Sequence, residues 1–580
     1  MSKKNKKTAR RQPSPAPKAE AAVKTIATEE KKCMVEYVTV NVISLFVFLA
    51  FGYIALMGFF QTSVIDPNAY VSEKILYQSD IVPLNIVFTV LFVIILFALR
   101  KKYDFFAKIN IHIAEASVAV LAVVLGLIWV CTVRSVPAAD SANLFEAAAG
   151  AAQGKYEALR DGQAFYNHSF YSDYNYFNFY PFQLGFVAFS EFIYRIFGAD
   201  SSMPIQIINV LCVGASYFAL ARITRLLFKR KSIEFIAILM LAGCLQPILF
   251  CTFAYGNIIG MCCAIWASLF LIKYFQTEEY KWLAPCGVLL VLSIFVKYNN
   301  MIYLAAFVIM LLVHTFKRKK WQSVAFAAAL VAVAIGSNSL VIMHYESRAE
   351  TEYASGVSQV LYLDLGMQES YMAPGWYTTI AKDTYIQSQL DNDLANERAW
   401  ENIGERMEAF GDLDYALDFY SKKILSQWNE PTYESIWVSK VKQHTIDDDK
   451  APGHTKNIST EEMKGLGEAV YRQSLGQLLE LHFAFYMQII YILFAVGIYL
   501  LFINRKTNIE TVLLPLVLLG GFSYHLLFEG KSQYILTYIP LLIPTAAYAM
   551  NVIVFGEYKK LKKLIAKLNF IPKKSKAQGG

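Results

Sequence analysis

A helix of about twenty apolar residues spans the roughly 30 Å hydrocarbon core of a bilayer, and a chain whose runs have this length has few other folds open to it. Twelve runs read this way: Val38–Phe60, Pro83–Leu99, Ile113–Val133, Pro204–Phe228, Ile233–Phe253, Asn257–Phe275, Trp282–Val296, Met301–Phe316, Trp321–Met343, Phe483–Phe502, Thr511–Phe528 and Tyr534–Phe555. Basic clusters punctuate them at Arg100-Lys101-Lys102, Lys229-Arg230-Lys231, Lys317-Arg318-Lys319-Lys320 and Arg505-Lys506. Cytoplasmic loops retain Lys and Arg, so pairing runs with clusters puts both termini inside and every alternate turn outside. The expected fold class is mainly α, a polytopic membrane helix bundle of about twelve spans.

Composition agrees, at 56% hydrophobic and 17% charged, and excludes a soluble globular protein. The net charge of +8 lies in the clusters between runs, which assigns it to orientation and makes membrane lipids, with no nucleic acid, the expected partners. Eight cysteines fall in or beside apolar runs and form no disulfide framework. No cleavable signal is evident at the start.

Five regions follow. Residues 1–36 read as a disordered basic cytoplasmic tail, and 37–343 as a transmembrane module whose large external loop, 134–203, is the candidate catalytic loop. Residues 344–482 are acidic, lack a spanning run and read as an external soluble α-rich domain, with helical periodicity clearest over Asn396–Ile424. Residues 483–556 carry the last membrane helices and 557–580 a basic tail.

The same parity places Asp140, Tyr255-Gly256-Asn257, Lys297 and Glu529-Gly530-Lys531 at one face of the membrane. An isolated Asp at a helix flank is ordinarily solvated, and a lone Lys ordinarily snorkels. A carboxylate converging with two ammonium groups suits a base that deprotonates a nucleophile while cations hold a phosphate leaving group. Pro181–Gly198 reads as a helix lying in the outer interface, with Glu191 and Arg195 spaced to pair. The tyrosines before it, Tyr166, Tyr171, Tyr174, Tyr176 and Tyr180, serve equally as an aromatic belt or as a platform for sugar.

The order of an external Asp after a span, the segment Tyr180-Pro181-Phe182-Gln183, an interfacial helix ending Tyr194-Arg195-Ile196-Phe197-Gly198 and a return helix resembles the GT-C integral-membrane glycosyltransferases. Within them it is most similar to the protein O-mannosyltransferase and aminoarabinose-transferase group (glycosyltransferase family 39 like), in its Gram-positive form. Tyr255-Gly256-Asn257, Val296-Lys297-Tyr298, Pro374-Gly375-Trp376-Tyr377 and Glu529-Gly530-Lys531-Ser532-Gln533-Tyr534 extend the resemblance over most of Ile113–Phe555. It implies a polyprenyl-phosphate-linked sugar donor and Asp140 as general base. It further implies a donor side at Lys297, Tyr298, Lys531, Tyr534 and Asn257, and a sugar or acceptor side at Tyr180, Gln183, Trp376 and Glu529. Asn257 stands where the family often has an acid, which leaves a divalent metal there open, and Gln533 stands where it often has Arg, which makes Lys531 the nearer phosphate candidate. The two spans before Ile113 are additions to the pattern.

The resulting expectation is inverting transfer of a sugar from a lipid phosphate to a cell-envelope acceptor, whether glycopolymer, lipid or protein. The competing class, a transporter or flippase of lipid-linked saccharide, would place charges mid-span or break helices in paired halves.

Overall fold

The computed structural model describes residues 33–67, 73–100, 108–133, 135–137, 140–160, 174–439, 465–471 and 473–555. The two tails, apart from 33–36 of the first, and Tyr166 and Tyr171 of the aromatic run lie outside these residues.

Each of the twelve apolar runs is helical, but they are not equal. Among the described residues nine helices are long and apolar enough to cross a membrane, and a tenth counts if Lys231–Gly243 and Gln246–Thr252, bent by 42°, form one span. Val82–Leu96 and Tyr280–Val296 are shorter apolar helices. Length and composition therefore support a multi-pass membrane protein of nine or ten spans rather than requiring twelve. Two ends differ from the sequence reading: one helix continues past Met343 to Ala349, and the next spanning helix begins at Leu475, ahead of Phe483.

The bend shows how irregular backbone survives at membrane depth. Carbonyls freed from helix bonding there have no water to turn to and must find side chains. Trp129 Nε1 donates to Leu249 O at 2.8 Å, and Gln206 Nε2 to Thr252 O at 3.0 Å. Asn209 Nδ2 donates to Cys251 O at 3.0 Å and to Phe253 O at 3.1 Å. All three donors come from the neighbouring helices Ile111–Val133 and Met203–Phe228, so the unwinding before Tyr255 is held from two sides.

The two ends of the bundle differ in chemistry. At one end the basic clusters are tied by ion pairs: Arg222 and Arg225 to Glu115 at 2.9 and 3.7 Å, Arg318 and Lys320 to Glu278 at 2.9 and 2.5 Å, and Lys317 to Glu36 at 2.9 Å. The other end carries the short helices between 359 and 439. The periodic stretch Asn396–Ile424 is two helices, Asn392–Ala409 and Leu413–Trp428, because Asp412 turns out of the first and caps the second through Asp414 N at 3.0 Å. This segment returns to the bundle, with Trp428 and Tyr433 buried in the main core.

One element has no counterpart in the sequence reading. Between the first two apolar helices, Gln61–Ile65 and Ile75–Ser79 pair antiparallel, Ser63 opposite Tyr77. Ser63 N bonds Asn429 O at 3.1 Å and Ile75 N bonds Met372 O at 2.9 Å, so this hairpin is docked onto the 370–430 segment.

Candidate active site

Asp140 opens the helix Asp140–Ala152, where the helix dipole favours a carboxylate. Tyr255 donates its hydroxyl to Asp140 Oδ2 at 3.2 Å, and Gln183 Nε2 in turn donates to the Tyr255 oxygen at 2.5 Å. Tyr255 reaches this position because the chain turns at Gly256, whose φ of 76° suits glycine. A Cβ there would lie 2.2 Å from the carbonyl oxygen of Val296, so glycine also lets the Tyr255 turn rest directly on the Val296–Tyr298 turn. That contact sets the Lys297 ammonium 3.9 Å from the centre of the Tyr255 ring.

Lys297 is 8% exposed, and among the described residues no carboxylate lies within ion-pair distance of it. Burial pushes its ammonium down to about 7, against the pull of Asp140 and Glu529. Tyr298 packs on Phe182, with ring centres 5.6 Å apart. Asn257 is buried in the first helical turn after Gly256, and its Oδ1 has no hydrogen-bond partner among the described residues.

A second wall comes from far along the chain. Glu529 follows the helix ending at Leu527; its backbone N–H bonds Tyr362 O at 3.2 Å and its carboxylate accepts from Tyr534 at 3.1 Å. Burial raises the Glu529 carboxyl and Lys531 opposes that shift, while Asp140 adds to it. Lys382, from the helix Ile380–Gln387, is buried with its ammonium 5.1 Å from the Tyr180 ring centre and 5.5 Å from that of Tyr377. Burial lowers it, and Asp140 and Glu529 both oppose the shift. Two carboxylates and two ammonium groups, from four separate segments, thus act on one another beside Tyr180 and Gln183.

Lys531 and Trp376 stand apart from this group. Trp376 is fully buried, donating its indole N–H to Ser426 at 2.9 Å, so the face expected to meet a sugar is packed in the interior. Lys531 lies 3.2 Å from Glu73 and 4.0 Å from Glu434. Burial works against its charge, but Glu73, Glu434 and Glu529 hold the ammonium above its usual range. Lys382 and Tyr362 were not anticipated, since a Lys in an acidic polar segment carries no local mark of burial. Among the described residues no group of three or more His, Cys, Asp or Glu is placed to hold a metal ion.

A buried ammonium lacking an ion-pair partner is costly, so Lys297 is held at the expense of stability. Lys297→Met keeps the stem and removes the charge, and Asp140 is left half-exposed, with no stranded buried carboxylate. The expected outcome is a melting temperature in detergent at or above that of the parent protein, a change of zero to about 4 kcal/mol in the stabilising direction. A clear loss would mean that Lys297 is a structural anchor.

Residues 184–342 match the model of a family described as dolichyl-phosphate-mannose-protein mannosyltransferase. No curated protein matches the chain. The matched segment is about a quarter of the sequence and contains Tyr255, Asn257, Lys297 and Tyr298, while Asp140, Lys382, Glu529 and Lys531 lie outside it. Through that segment the chain is similar to membrane-embedded glycosyltransferases acting on lipid-phosphate sugars.

Proposed function

We propose that the chain transfers a sugar from a polyprenyl-phosphate donor to a hydroxyl-bearing cell-envelope acceptor, at the outer face of the membrane, with inversion. The observation that carries this reading is the pairing of one partly exposed carboxylate, Asp140, with two buried ammonium groups, Lys297 and Lys382, at the end of an apolar bundle. The segment similar to lipid-phosphate mannosyltransferases supplies one of those cations and the tyrosine beneath it.

In this mechanism Asp140 takes the proton of the acceptor hydroxyl as its oxygen bonds to the anomeric carbon. The bond from that carbon to the phosphate oxygen breaks, and the lipid phosphate leaves with the electron pair. A sugar phosphodiester carries one negative charge and the departing monoester up to two, so charge grows where Lys297 and Lys382 stand, and their attraction is greater in the transition state than in the ground state. A single displacement inverts the anomeric centre. Tyr255 and Gln183 orient Asp140, Tyr180 and Tyr298 offer ring faces to the sugar and lipid, and Asn257 presents an unused amide oxygen. Glu529 and Tyr534 close the opposite wall. Lys531, already matched by Glu73 and Glu434, is left out of phosphate binding.

The basic clusters at the end opposite Asp140 support an orientation with both termini inside. Thiols introduced at the exposed positions Lys155 and Glu397 are expected to react with an impermeant reagent on intact cells, and thiols at Lys102 and Lys319 only after permeabilisation. The reverse pattern removes the outer-face assignment.

For the base, Asp140→Asn is nearly isosteric and keeps an acceptor for Tyr255 but takes no proton. Turnover of a polyprenyl-phosphate sugar by purified protein is expected to fall about 10²–10⁴-fold with folding unchanged. Glu146→Gln is expected to lose far less, because six residues on it faces elsewhere around the helix. Undiminished turnover in Asp140→Asn would end this mechanism.

Lys297 supplies a pH test. Its ammonium titrates near 7, so it is charged below that pH and neutral above it. A bound phosphate restores the charge, and donor binding at pH 8 should take up a proton. Calorimetric heats measured in buffers of different ionisation enthalpy should report that proton, and Lys297→Met should abolish it. Heats that do not depend on the buffer would exclude Lys297 from phosphate contact.

A further inference from the structure

The short helices between 359 and 409 enclose a groove of about 740 Å³ that the reaction as drawn does not use. Gln368 and Glu369 enter it from the end of the helix Gln359–Met367, and Asp383 and Thr384 from Ile380–Gln387. Arg398, Glu401 and Asn402, three and four apart on Asn392–Ala409, turn one face of that helix to it. The other face of Ile380–Gln387 carries Lys382 and Tyr385, which meet the rings of Tyr180 and Phe179. A single helix therefore separates this groove from the candidate active site.

The lining is built to offer hydrogen-bond acceptors. Asp364, fully buried behind it, accepts from Gln368 Nε2 at 2.6 Å and from Asn402 Nδ2 at 2.9 Å. An ionised carboxylate only accepts, so both amides turn their nitrogens to it and their carbonyl oxygens away. Neither carbonyl oxygen meets a protein donor among the described residues. Thr384 is only 7% exposed, yet among the described residues its hydroxyl too has no protein partner, although a polar side chain so buried ordinarily has one.

Charge and polarity narrow the ligand. Three carboxylates, Glu369, Asp383 and Glu401, line the groove against one guanidinium, Arg398, a balance that repels a phosphate-bearing polymer. Among the described residues Ile380 is the one apolar side chain in the lining, whereas a peptide docks through an apolar centre. A run of sugar hydroxyls can donate to the amide oxygens and carboxylates and accept from Thr384 and Arg398.

We infer that this groove is a second binding site, for the body of a non-acidic glycan chain, and that it holds a polymeric acceptor while the chain's end passes Lys382 toward Asp140. The groove is defined without reference to catalysis, and only its role as an acceptor subsite rests on the transferase reading.

The experiment titrates neutral hexasaccharides of glucose, mannose and N-acetylglucosamine into donor-free full-length protein in detergent, beside a hexamer of glycerol phosphate and a peptide rich in Ser and Thr. At least one hexasaccharide should bind, and the phosphate hexamer about tenfold more weakly or worse. Thr384→Val keeps the shape without the hydroxyl and should weaken hexasaccharide binding about tenfold. Glu401→Lys, at an exposed position, should weaken it as well and should tighten binding of the phosphate hexamer about tenfold, a reversal that loosened packing would not produce. Should Thr384→Val fail to fold, that reversal alone decides. Glu397→Gln, exposed on the same helix outside the lining, should bind as the parent does. In turnover, the KM of the hexasaccharide relative to that of its monosaccharide should rise in Glu401→Lys. Binding by none of the hexasaccharides, an affinity that neither groove substitution changes, tighter binding of the phosphate hexamer or the peptide by the parent, or an unmoved KM ratio overturns the inference. Parent protein that transfers no sugar to any acceptor but shows the hexasaccharide binding and its variant effects would keep the groove and defeat the transferase reading instead.

Discussion

Backbone amides find no partner in hydrocarbon, and that requirement decides where this chain can carry chemistry. Along the spans the backbone satisfies itself as helix, and the side chains there are free only to pack. Irregular backbone is admitted where other side chains complete it, as Trp129, Gln206 and Asn209 do for the carbonyls between Leu249 and Phe253. The break they tolerate ends at Tyr255-Gly256, and Tyr255 is the hub that joins Asp140, Gln183 and Lys297. The site is thus a consequence of where the bundle could afford to unwind.

What was legible in the sequence was whatever depends on local pattern. The apolar runs announce helices because burial in lipid is a property of the run itself. Glu191 and Arg195, four apart, do pair, at 2.6 Å, and Arg348 from a distant helix joins them at 3.2 Å. Asp140, Asn257, Lys297 and Glu529 could be singled out because they follow directly on apolar segments, and the structure gathers them at one end of the bundle. Illegible features were those set by distant partners. Lys382 looks like any lysine of an acidic segment until Tyr180 and Tyr377 enclose it. Glu73 precedes a five-residue strand that alternates poorly, and its ion-pair partner is a lysine more than four hundred positions away. Trp376, which the resemblance set on the sugar or acceptor side, is buried by Ser426 and the hairpin, contacts that no local pattern shows.

Five of the cations at the Asp140 end of the bundle divide according to what already satisfies them. Arg195 and Arg348 share Glu191 and fasten the helix Leu184–Phe197 to the long helix Gln322–Ala349. Lys531 is matched by Glu73 and Glu434. Lys297 rests on a ring face, with carboxylates only at longer range among the described residues, and burial weakens its hold and that of Lys382 on their protons. Ring faces stabilise an ammonium by about 0.5–2 kcal/mol, well short of what a contact ion pair supplies when desolvated. Lys297 therefore retains attraction for an incoming anion.

The same reasoning separates the second carboxylate of the candidate site from Asp140, the base of the proposed reaction. The proton affinity of Glu529 is raised by burial, and one of its oxygens is occupied by Tyr534. Asp140 keeps one oxygen free of protein donors among the described residues and remains partly exposed at a helix N-terminus, where its charge is favoured without enclosure. In the proposed reaction an acceptor arriving from water would meet Asp140 first, while a lipid phosphate arriving along the bundle would meet the lysines. The two substrates would then approach from different media, with the carboxylate that takes the proton on the aqueous side.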